Sequence, residues 1–189
     1  MSSGRIEFSL RELAAAAVAL AQQAEAIARV AGRYRTTLEA GGTLFFAGNG
    51  GSAAHAQHVA TEYAVRYKRD RKAFRAIALT TDGSALTAAG NDLGFEEIFS
   101  RQIEALGRPG DLLVLHSTSG KSPNLLRAAQ AARRLGVGVV AMLGGSAGPL
   151  RALADDAIVV PSDDPSRIQE LHLAIEHMIV ELVEQELSQ

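Results

Sequence analysis

Two pairs of side chains have the spacing needed to bind a metal ion or to move a proton. His58 and Glu62 stand four residues apart in a stretch predicted to be helical, and His172 and Glu176 repeat that spacing further along the chain. Residues four apart lie on one face of a helix, so either pair could bind one metal ion or act as acid and base on one substrate. A surface ion pair has the same spacing, and periodicity alone does not choose between the two pairs.

Gln169 and His177 lie on the same predicted helix as the second pair. Their separation is about 12 Å along an ideal helix, with the two side chains nearly a quarter-turn apart. One ion with bonds of about 2 Å is difficult to bind through both of them. We therefore expect this helix to contribute to a shared site, which could lie between subunits.

A glycine-rich loop, Gly-Asn-Gly-Gly-Ser at residues 48–52, follows the first predicted strand and precedes a helix. Glycine lets backbone N–H groups approach a ligand closely, and Ser52 could cap the helix, whose N-terminus favours anions. The loop lacks the Gly-Lys-Ser/Thr of a Walker loop and the spacing of a dinucleotide fingerprint. A purely structural turn would have the same sequence features.

A second loop, residues 117–123, is richer in hydroxyl groups. It contains Lys121 and four hydroxyl side chains around one glycine: Ser117, Thr118, Ser119 and Ser122. Short hydroxyls and backbone N–H groups at the start of a helix can surround a phosphate monoester, which offers several strong acceptor oxygens. The alternative is a solvent-exposed loop that only caps its helix. His116, just before the loop, is interpreted as a buried, hydrogen-bonded imidazole rather than a catalyst.

Composition restricts what these residues can do. The chain has 189 residues, of which 47% are hydrophobic and 21% charged, as expected for one folded domain. It has no cysteine, so a metal site must use His, Asp, Glu or amide side chains. A net charge of −2 gives no global field to hold nucleic acid, and 5% aromatic residues without Trp supply few stacking platforms.

Residues 1–40 are predicted to form a helical region that packs on the core or on a neighbouring subunit. Ser9 and Glu12 have the pattern of a capping box, and an Ala- and Leu-rich run then continues to about Glu39, with one possible break near Gly32. The N-terminus has no signal-peptide pattern, and no stretch approaches the roughly 18 apolar residues that span a bilayer. We therefore expect a soluble cytoplasmic protein without membrane or nucleic-acid partners.

Residues 41–189 alternate short apolar runs with helical stretches, which is typical of βαβ units. The predicted strands are residues 44–48, 75–80, 111–117, 138–143 and 157–161. Each is too short and too apolar to be a half-exposed antiparallel strand. The expected fold is therefore α/β: a three-layer, doubly wound, five-stranded parallel sheet, forming a single structural unit with the helical region. Ligands of such sheets bind beyond the carboxyl ends of the strands, where both loops lie.

Five separated motifs resemble the phosphoheptose isomerases, which are sugar isomerase (SIS) domain proteins. The motifs are residues 48–52, residues 56–58 with Glu62, residues 90–95, residues 117–120 with Ser122, and residues 167–170 with His177. The resemblance covers nearly the whole chain. It implies a flavodoxin-like SIS fold, a cytoplasmic location and a homotetramer with active sites between subunits. It also implies conversion of D-sedoheptulose 7-phosphate into D-glycero-D-manno-heptose 7-phosphate, the first step toward nucleotide-activated heptose for lipopolysaccharide or other surface glycans.

The resemblance further implies which residues act. One zinc ion per subunit would be bound at His58, Glu62, Gln169 and His177. The substrate would contact Asn49, Gly50, Gly51, Ser52, Glu62, Asn91, Asp92, Ser117, Thr118, Ser119, Ser122 and Gln169. Moving a carbonyl from C2 to C1 through a cis-enediol requires a base and an acid, and we assign Glu62 as the base and His177 as the acid that serves the oxygens.

The chain departs from the family pattern at His55, where family members usually have Asp. This imidazole could join the metal shell, replace a carboxylate behind the metal, or face solvent. Two other functions remain open. One is a non-enzymatic SIS-domain tetramer that binds the bacterial replication initiator, against which the presence of both Glu62 and His177 argues. The other is a different sugar-phosphate isomerase or a sugar-phosphate sensor, against which the four metal-site positions argue.

Overall fold

The computed structural model describes residues 3–187 and contains five parallel strands in one sheet. The strands are β1 (Leu44–Gly48), β2 (Ala76–Ala78), β3 (Leu112–Ser117), β4 (Gly138–Gly144) and β5 (Asp156–Val160). Their order across the sheet is β2-β1-β3-β4-β5, which is the doubly wound flavodoxin-like order. The predicted fold class is confirmed, and each predicted strand overlaps an observed one.

Seven helices connect or flank the strands. They are α1 (Ser3–Leu20), α2 (Ala24–Glu39), α3 (Gly51–Ala64), α4 (Gly83–Asp92), α5 (Ser100–Leu106), α6 (Pro123–Arg134) and α7 (Pro165–Leu187). Short 3-10 turns occupy Ala21–Gln23, Phe95–Glu97 and Pro149–Leu153. The helices lie on both faces of the sheet, which gives the three predicted layers.

Two hydrophobic cores form because successive side chains of a strand point to opposite faces. Leu44 and Phe46 of β1 pack with α2, α3 and α7 on one face, whereas Phe45 and Ala47 pack with α5 and α6 on the other. All five residues of β1 are buried, as is typical of a central parallel strand. Burial of each large apolar side chain contributes about 1.5–3 kcal/mol, so this strand holds both layers together.

The chain reverses its winding direction between β1 and β3. From β1 it passes through α3 to the edge strand β2, whereas from β3 it passes through α6 to β4 on the other side. Because β1 and β3 are paired neighbours, with Gly48 opposite His116, the loops that leave them lie side by side. This is the switch point at which doubly wound sheets bind ligands.

Three predictions about the helices and strands were wrong in detail. Ser9 does not open a helix with Glu12, since α1 already includes Ser3, and the carbonyl of Ser9 instead accepts a hydrogen bond from Arg167. The break in the helical region falls at Ala21–Gln23, where the Gln23 amide bonds the backbone N–H and C=O of Val159, and Gly32 lies inside α2. Edge strand β2 is not fully buried, because Ile77 is exposed.

The helical region from Ser3 to Glu39 also passes a length-and-composition test for a membrane span, with a mean hydropathy of 1.2 over an 18-residue window. The expectation that no stretch approaches spanning length is corrected to this extent. Only 22% of that window is buried. Length and composition are the only support for a span, and core helices of soluble proteins and signal sequences pass the same test. The proposed boundary between residues 1–40 and 41–189 stays a prediction.

Candidate active site

His58, Glu62 and His177 converge where α3 faces α7. The Oε1 atom of Glu62 lies 3.1 Å from Nε2 of His58 and 3.1 Å from Nε2 of His177, and the two Nε2 atoms are 3.3 Å apart. The spacing of four residues places His58 and Glu62 on one face of α3, and the packing of α7 brings His177 to that face. We call these three side chains the His58–Glu62–His177 cluster.

The cluster has the geometry of a metal site. Its candidate ligand atoms all lie within 4.8 Å of one another, and no other group of His, Asp and Glu between residues 3 and 187 meets this condition. Imidazole nitrogen and carboxylate oxygen are zinc ligands, and tetrahedral bonds of about 2 Å place ligand atoms about 3.3 Å apart. The donor set therefore fits zinc. The second oxygen of Glu62, Oε2, is buried and has no hydrogen-bond partner among the described residues.

The rival pair, His172 and Glu176, does not form such a site. His172 is buried and its Nε2 lies 3.1 Å from the carbonyl oxygen of Leu143, so its neutral form donates a hydrogen bond there. Oε1 of Glu176 accepts hydrogen bonds from the Tyr34 hydroxyl at 3.0 Å and from His116 Nε2 at 2.9 Å. These side chains form a buried polar group behind the cluster, and His116 is the buried imidazole that the sequence predicts.

His55 belongs to this buried group rather than to the cluster. It is 9% exposed, and its ring lies 4.6 Å from that of His116, measured between centroids. Burial, together with the neighbouring imidazoles of His116 and His172, lowers the pKa of His55 to about 2. Of the three roles left open for His55, exposure to solvent is therefore excluded. His55 is also not one of the three residues whose ligand atoms converge.

Gln169 lies against the first turn of α3, where the glycine-rich loop ends. A Cβ atom at position 51 would stand 2.6 Å from Oε1 of Gln169, so glycine at this position leaves room for the amide. Gly50 occupies the N-cap position of α3 with a φ of 55°. Ser52 does not cap this helix through its side chain and is buried in the first turn. The loop thus brings backbone and amide groups together near the N-terminus of α3.

A pair of amides joins the glycine-rich loop to the first turn of α6, directly after the hydroxyl-rich loop. Nδ2 of Asn49 donates to Oδ1 of Asn124 at 3.0 Å, and Nδ2 of Asn124 donates to Oδ1 of Asn49 at 2.8 Å. Asn124 lies in the first turn of α6 and is 1% exposed. No sequence motif indicated Asn124, although its position one residue after Pro123, at the start of a helix, is one from which a side chain can orient the loop.

The hydroxyl-rich loop folds tightly at the N-terminus of α6. Oγ of Ser117 accepts a hydrogen bond from the backbone N–H of Gly120 at 2.9 Å, and Ser122 stands at the N-cap position without a side-chain cap bond. Thr118, Ser119 and Lys121 line a cavity of about 200 Å³. Hydroxyl groups, a cation and a helix N-terminus together suit a phosphate.

Asn91 and Asp92 lie apart from these groups. Both are exposed at the C-terminal end of α4, and Nδ2 of Asn91 donates to Oδ1 of Asp92 at 2.7 Å. No hydrogen bond among the described residues joins them to the cluster or to either loop.

Comparisons with known proteins point in one direction. A family described as SIS domain matches residues 10–144. A phosphoheptose isomerase of Akkermansia muciniphila is 52% identical over 169 residues, which is 89% of each chain. Another, of Chlorobaculum parvum, is 54% identical over 86% of this chain and 79% of its own. The solved structure of a phosphoheptose isomerase from Neisseria gonorrhoeae has a TM-score of 0.92 and 37% identity, and covers 96% of this chain and 98% of that one.

Proposed function

The chain belongs to the SIS domain family and, within it, to the phosphoheptose isomerases, and on that premise we propose that Glu62 and His177 interconvert a ketose and an aldose phosphate. The reaction is the conversion of D-sedoheptulose 7-phosphate into D-glycero-D-manno-heptose 7-phosphate. The observation that carries the proposal is the position of Glu62, with one oxygen shared by His58 and His177 and the other buried without a partner.

The isomerisation moves one proton between carbons and one between oxygens. A base removes a proton from C1 of the ketose, giving a cis-enediol, and returns it to C2 to give the aldose. Glu62 is the group that carries this proton, because Oε2 is not engaged by other side chains. His177 gives a proton to O2 and accepts one from O1, since its imidazole lies beside the same carboxylate. With zinc at Nε2, the nitrogen that exchanges this proton would be Nδ1.

We propose one zinc ion per subunit, bound by His58, Glu62, Gln169 and His177. Bound zinc would polarise the substrate carbonyl and favour the enediolate. The three converging ligand atoms support this assignment, and the position of Gln169 on α7, against the start of α3, is compatible with a fourth ligand. The side chains also orient one another without the metal, since both imidazoles lie within 3.1 Å of Oε1 of Glu62.

The phosphate of the substrate is proposed to bind to the hydroxyl-rich loop. The hydroxyls of Ser117, Thr118, Ser119 and Ser122 offer short donors, and Lys121 adds a positive charge. The glycine-rich loop, from Asn49 to Ser52, would contact the sugar between the phosphate and the cluster, because the two loops leave neighbouring strands.

A homotetramer with active sites between subunits is proposed on two observations. Helix α1 exposes large apolar side chains, among them Ile6, Phe8 and Val18, which a partner subunit would cover. Asn91 and Asp92 make no hydrogen bond to the cluster or to either loop among the described residues of their own chain. If they contact the substrate, they would therefore do so in the active site of a neighbouring chain. We also propose a cytoplasmic location and a place at the first step of heptose activation for surface glycans, because a charged phosphate ester does not cross a bilayer unaided.

The direct test is turnover of purified protein with D-sedoheptulose 7-phosphate, followed by NMR of the aldose product. We expect turnover with added zinc, loss of turnover after a chelator, and recovery when zinc is returned. Absence of turnover with zinc present would contradict the proposal. Capture of the replication initiator by such an inactive protein would then support the non-enzymatic alternative.

A further inference from the structure

The connection from α3 to β2 begins with residues 65–72, a segment that hydrogen bonds attach to α7. Tyr67, in this segment, stacks on the imidazole of His177, with ring centroids 5.4 Å apart and planes 20° from parallel. The Nε2 edge of His177 faces Glu62 and His58, at 3.1 and 3.3 Å, and these contacts hold that edge of the ring. Tyr67 covers a face of the ring and therefore constrains its tilt, which contacts at one nitrogen leave free.

The backbone that carries Tyr67 is fixed by a carboxylate on α7. Glu184 accepts hydrogen bonds from the backbone N–H groups of Tyr67, Lys68 and Arg69, at 2.8, 2.9 and 3.1 Å. Glu184 follows His177 by seven residues, which is two helical turns and places both on one side of α7. The segment is thus attached to the same helix that carries the imidazole on which Tyr67 lies.

Arg71 completes the attachment and extends it to α3. Its Nε donates to Oε1 of Glu184 at 2.9 Å, and the side chains of this ion pair are 2% and 1% exposed. Its terminal nitrogens donate to the carbonyl oxygens of Glu62, at 2.6 Å, and Tyr63, at 2.9 Å. These carbonyls belong to the last turn of α3, where helical partners are missing. One buried ion pair therefore ties the backbone of Glu62 to the segment that bears Tyr67.

The ion pair between Arg71 and Glu184 holds the segment in one position on α7. Burial raises the pKa of Glu184, but the three backbone N–H groups and the Arg71 guanidinium outweigh that effect and hold the pKa below its ordinary value. A buried charge that loses its partner is strongly destabilising. Displacement of the segment would leave both charges unpaired, so the ring of Tyr67 is held in place over His177.

We propose that Tyr67 is a positioning residue for His177, acting through the stacked ring and not through its hydroxyl. The role of His177 as metal ligand and acid is that of the proposed function, on which this inference rests. The hydroxyl makes no hydrogen bond among the described residues, whereas the ring is in stacking contact with the imidazole. A residue that fixes the orientation of a ligand affects both metal affinity and turnover.

The test compares Tyr67→Phe with Tyr67→Leu. Phenylalanine keeps the stacked ring, and leucine removes it while keeping an apolar side chain at this partly buried position. We expect Tyr67→Leu to weaken binding of Co²⁺ to the metal-free protein by about 10-fold or more, and to lower kcat by a similar factor, with little change in KM. The visible spectrum of the Co²⁺-loaded protein should also shift. Tyr67→Phe should match the wild type in Co²⁺ affinity, kcat, KM and visible spectrum.

Arg66→Ala is the matched control, because Arg66 lies exposed in the same segment and pairs with Asp70 at the surface. It should leave Co²⁺ affinity and kcat unchanged. Wild-type Co²⁺ affinity and kcat in Tyr67→Leu, whatever its melting temperature, would overturn the proposal, since the ring would then only pack. Equal losses in Tyr67→Phe and Tyr67→Leu would overturn it by assigning the effect to the hydroxyl. Failure of the wild type to turn over would contradict the proposed function, whereas the Co²⁺ comparison would still decide the role of Tyr67.

Discussion

Gly51 and Gln169 fit against each other without space for one more carbon atom. Oε1 of Gln169 lies 2.6 Å from the point where a Cβ at position 51 would stand, and the amide carbon and nitrogen lie 3.1 Å from it. The contact joins the first turn of α3, which carries His58 and Glu62 further on, to the first turns of α7, which carries His177. The glycine thus sets where the amide of Gln169 lies relative to the cluster.

Gly51→Ala is expected to move Gln169 while leaving the fold intact. The obstructing atoms belong to the end of a flexible side chain, which can rotate away, so the loss in stability should stay within about 1 kcal/mol. Removal of a proposed metal ligand from its position should weaken zinc binding and lower kcat by about 10-fold. Metal content and turnover would be measured together on the same preparation.

Gly83→Ala is the control for this substitution. Gly83 is also the first residue of a helix, α4, and a Cβ there would meet nothing within 4 Å. Zinc content and kcat should be unchanged in this variant. If Gly51→Ala retained wild-type zinc affinity and kcat, Gln169 would have no role that depends on its present position.

Glu62→Gln should remove the proton carrier with almost no change in shape. We expect kcat to fall by about 100- to 10,000-fold, which is the usual contribution of a general acid–base group. Binding of the substrate phosphate should persist, because the hydroxyl-rich loop is unaltered, and calorimetry with the substrate would measure it. Glu181→Gln, at a partly exposed position on α7 paired with Lys68, is the control and should keep full activity. Substantial turnover by Glu62→Gln would remove Glu62 from its proposed role.

Ser119→Ala should affect substrate affinity more than the chemical step. A hydrogen bond to a charged group contributes about 1.5–3 kcal/mol, so loss of one to the phosphate should raise KM by about 10- to 100-fold. The hydroxyl also accepts the backbone N–H of Lys121 at 3.3 Å, so a melting curve is needed to show that the loop stays folded. Ser84→Ala, at an exposed position on α4, should change nothing. An unchanged KM in Ser119→Ala would show that the phosphate binds elsewhere.

The sequence was sufficient to predict the sheet and the i, i+4 pair on α3, because both follow from local patterns. Apolar runs such as β1 are buried on both faces, and that requirement is visible in five consecutive residues. Spacing alone could not choose between His58 and His172, since both have a carboxylate four residues on, and only the family resemblance indicated His58. The choice depends on which side of α7 faces α3, and only packing of the two helices decides that.

Contacts between distant residues and the ends of helices were harder to predict. Arg71 and Glu184 are 113 positions apart and neither lies in a periodic motif, so no local signal indicated that they form a buried pair. Ser9 has the sequence of a cap but lies inside α1, because residues before it also continue the helix. The burial of His55 was not predictable for the same reason. It depends on His116 of β3 and His172 of α7, which are distant from it in the sequence.

The buried imidazoles should make the protein sensitive to mild acid. Burial, with the neighbouring His116, lowers the pKa of His55 to about 2, and the same causes lower that of His172 to about 3 despite its hydrogen bond to Leu143. In the unfolded chain both have a pKa near 6.5, so below that pH the unfolded state binds protons that the folded state does not. Stability is therefore lost as the pH falls from about 6.5 toward 3.

Two such histidines together should contribute a loss of about 4 kcal/mol between pH 7 and pH 5. Asparagine at position 55 cannot take up this proton, so His55→Asn should halve the part of the pH dependence that these two residues contribute. Urea unfolding, measured at several pH values in this range with a chelator present, would give the slopes. Protein concentration must be fixed, because subunit association also changes the apparent stability. An equal slope in wild type and His55→Asn would mean that His55 binds a proton equally well in the folded and the unfolded protein, against its buried position beside His116 of β3 and His172 of α7.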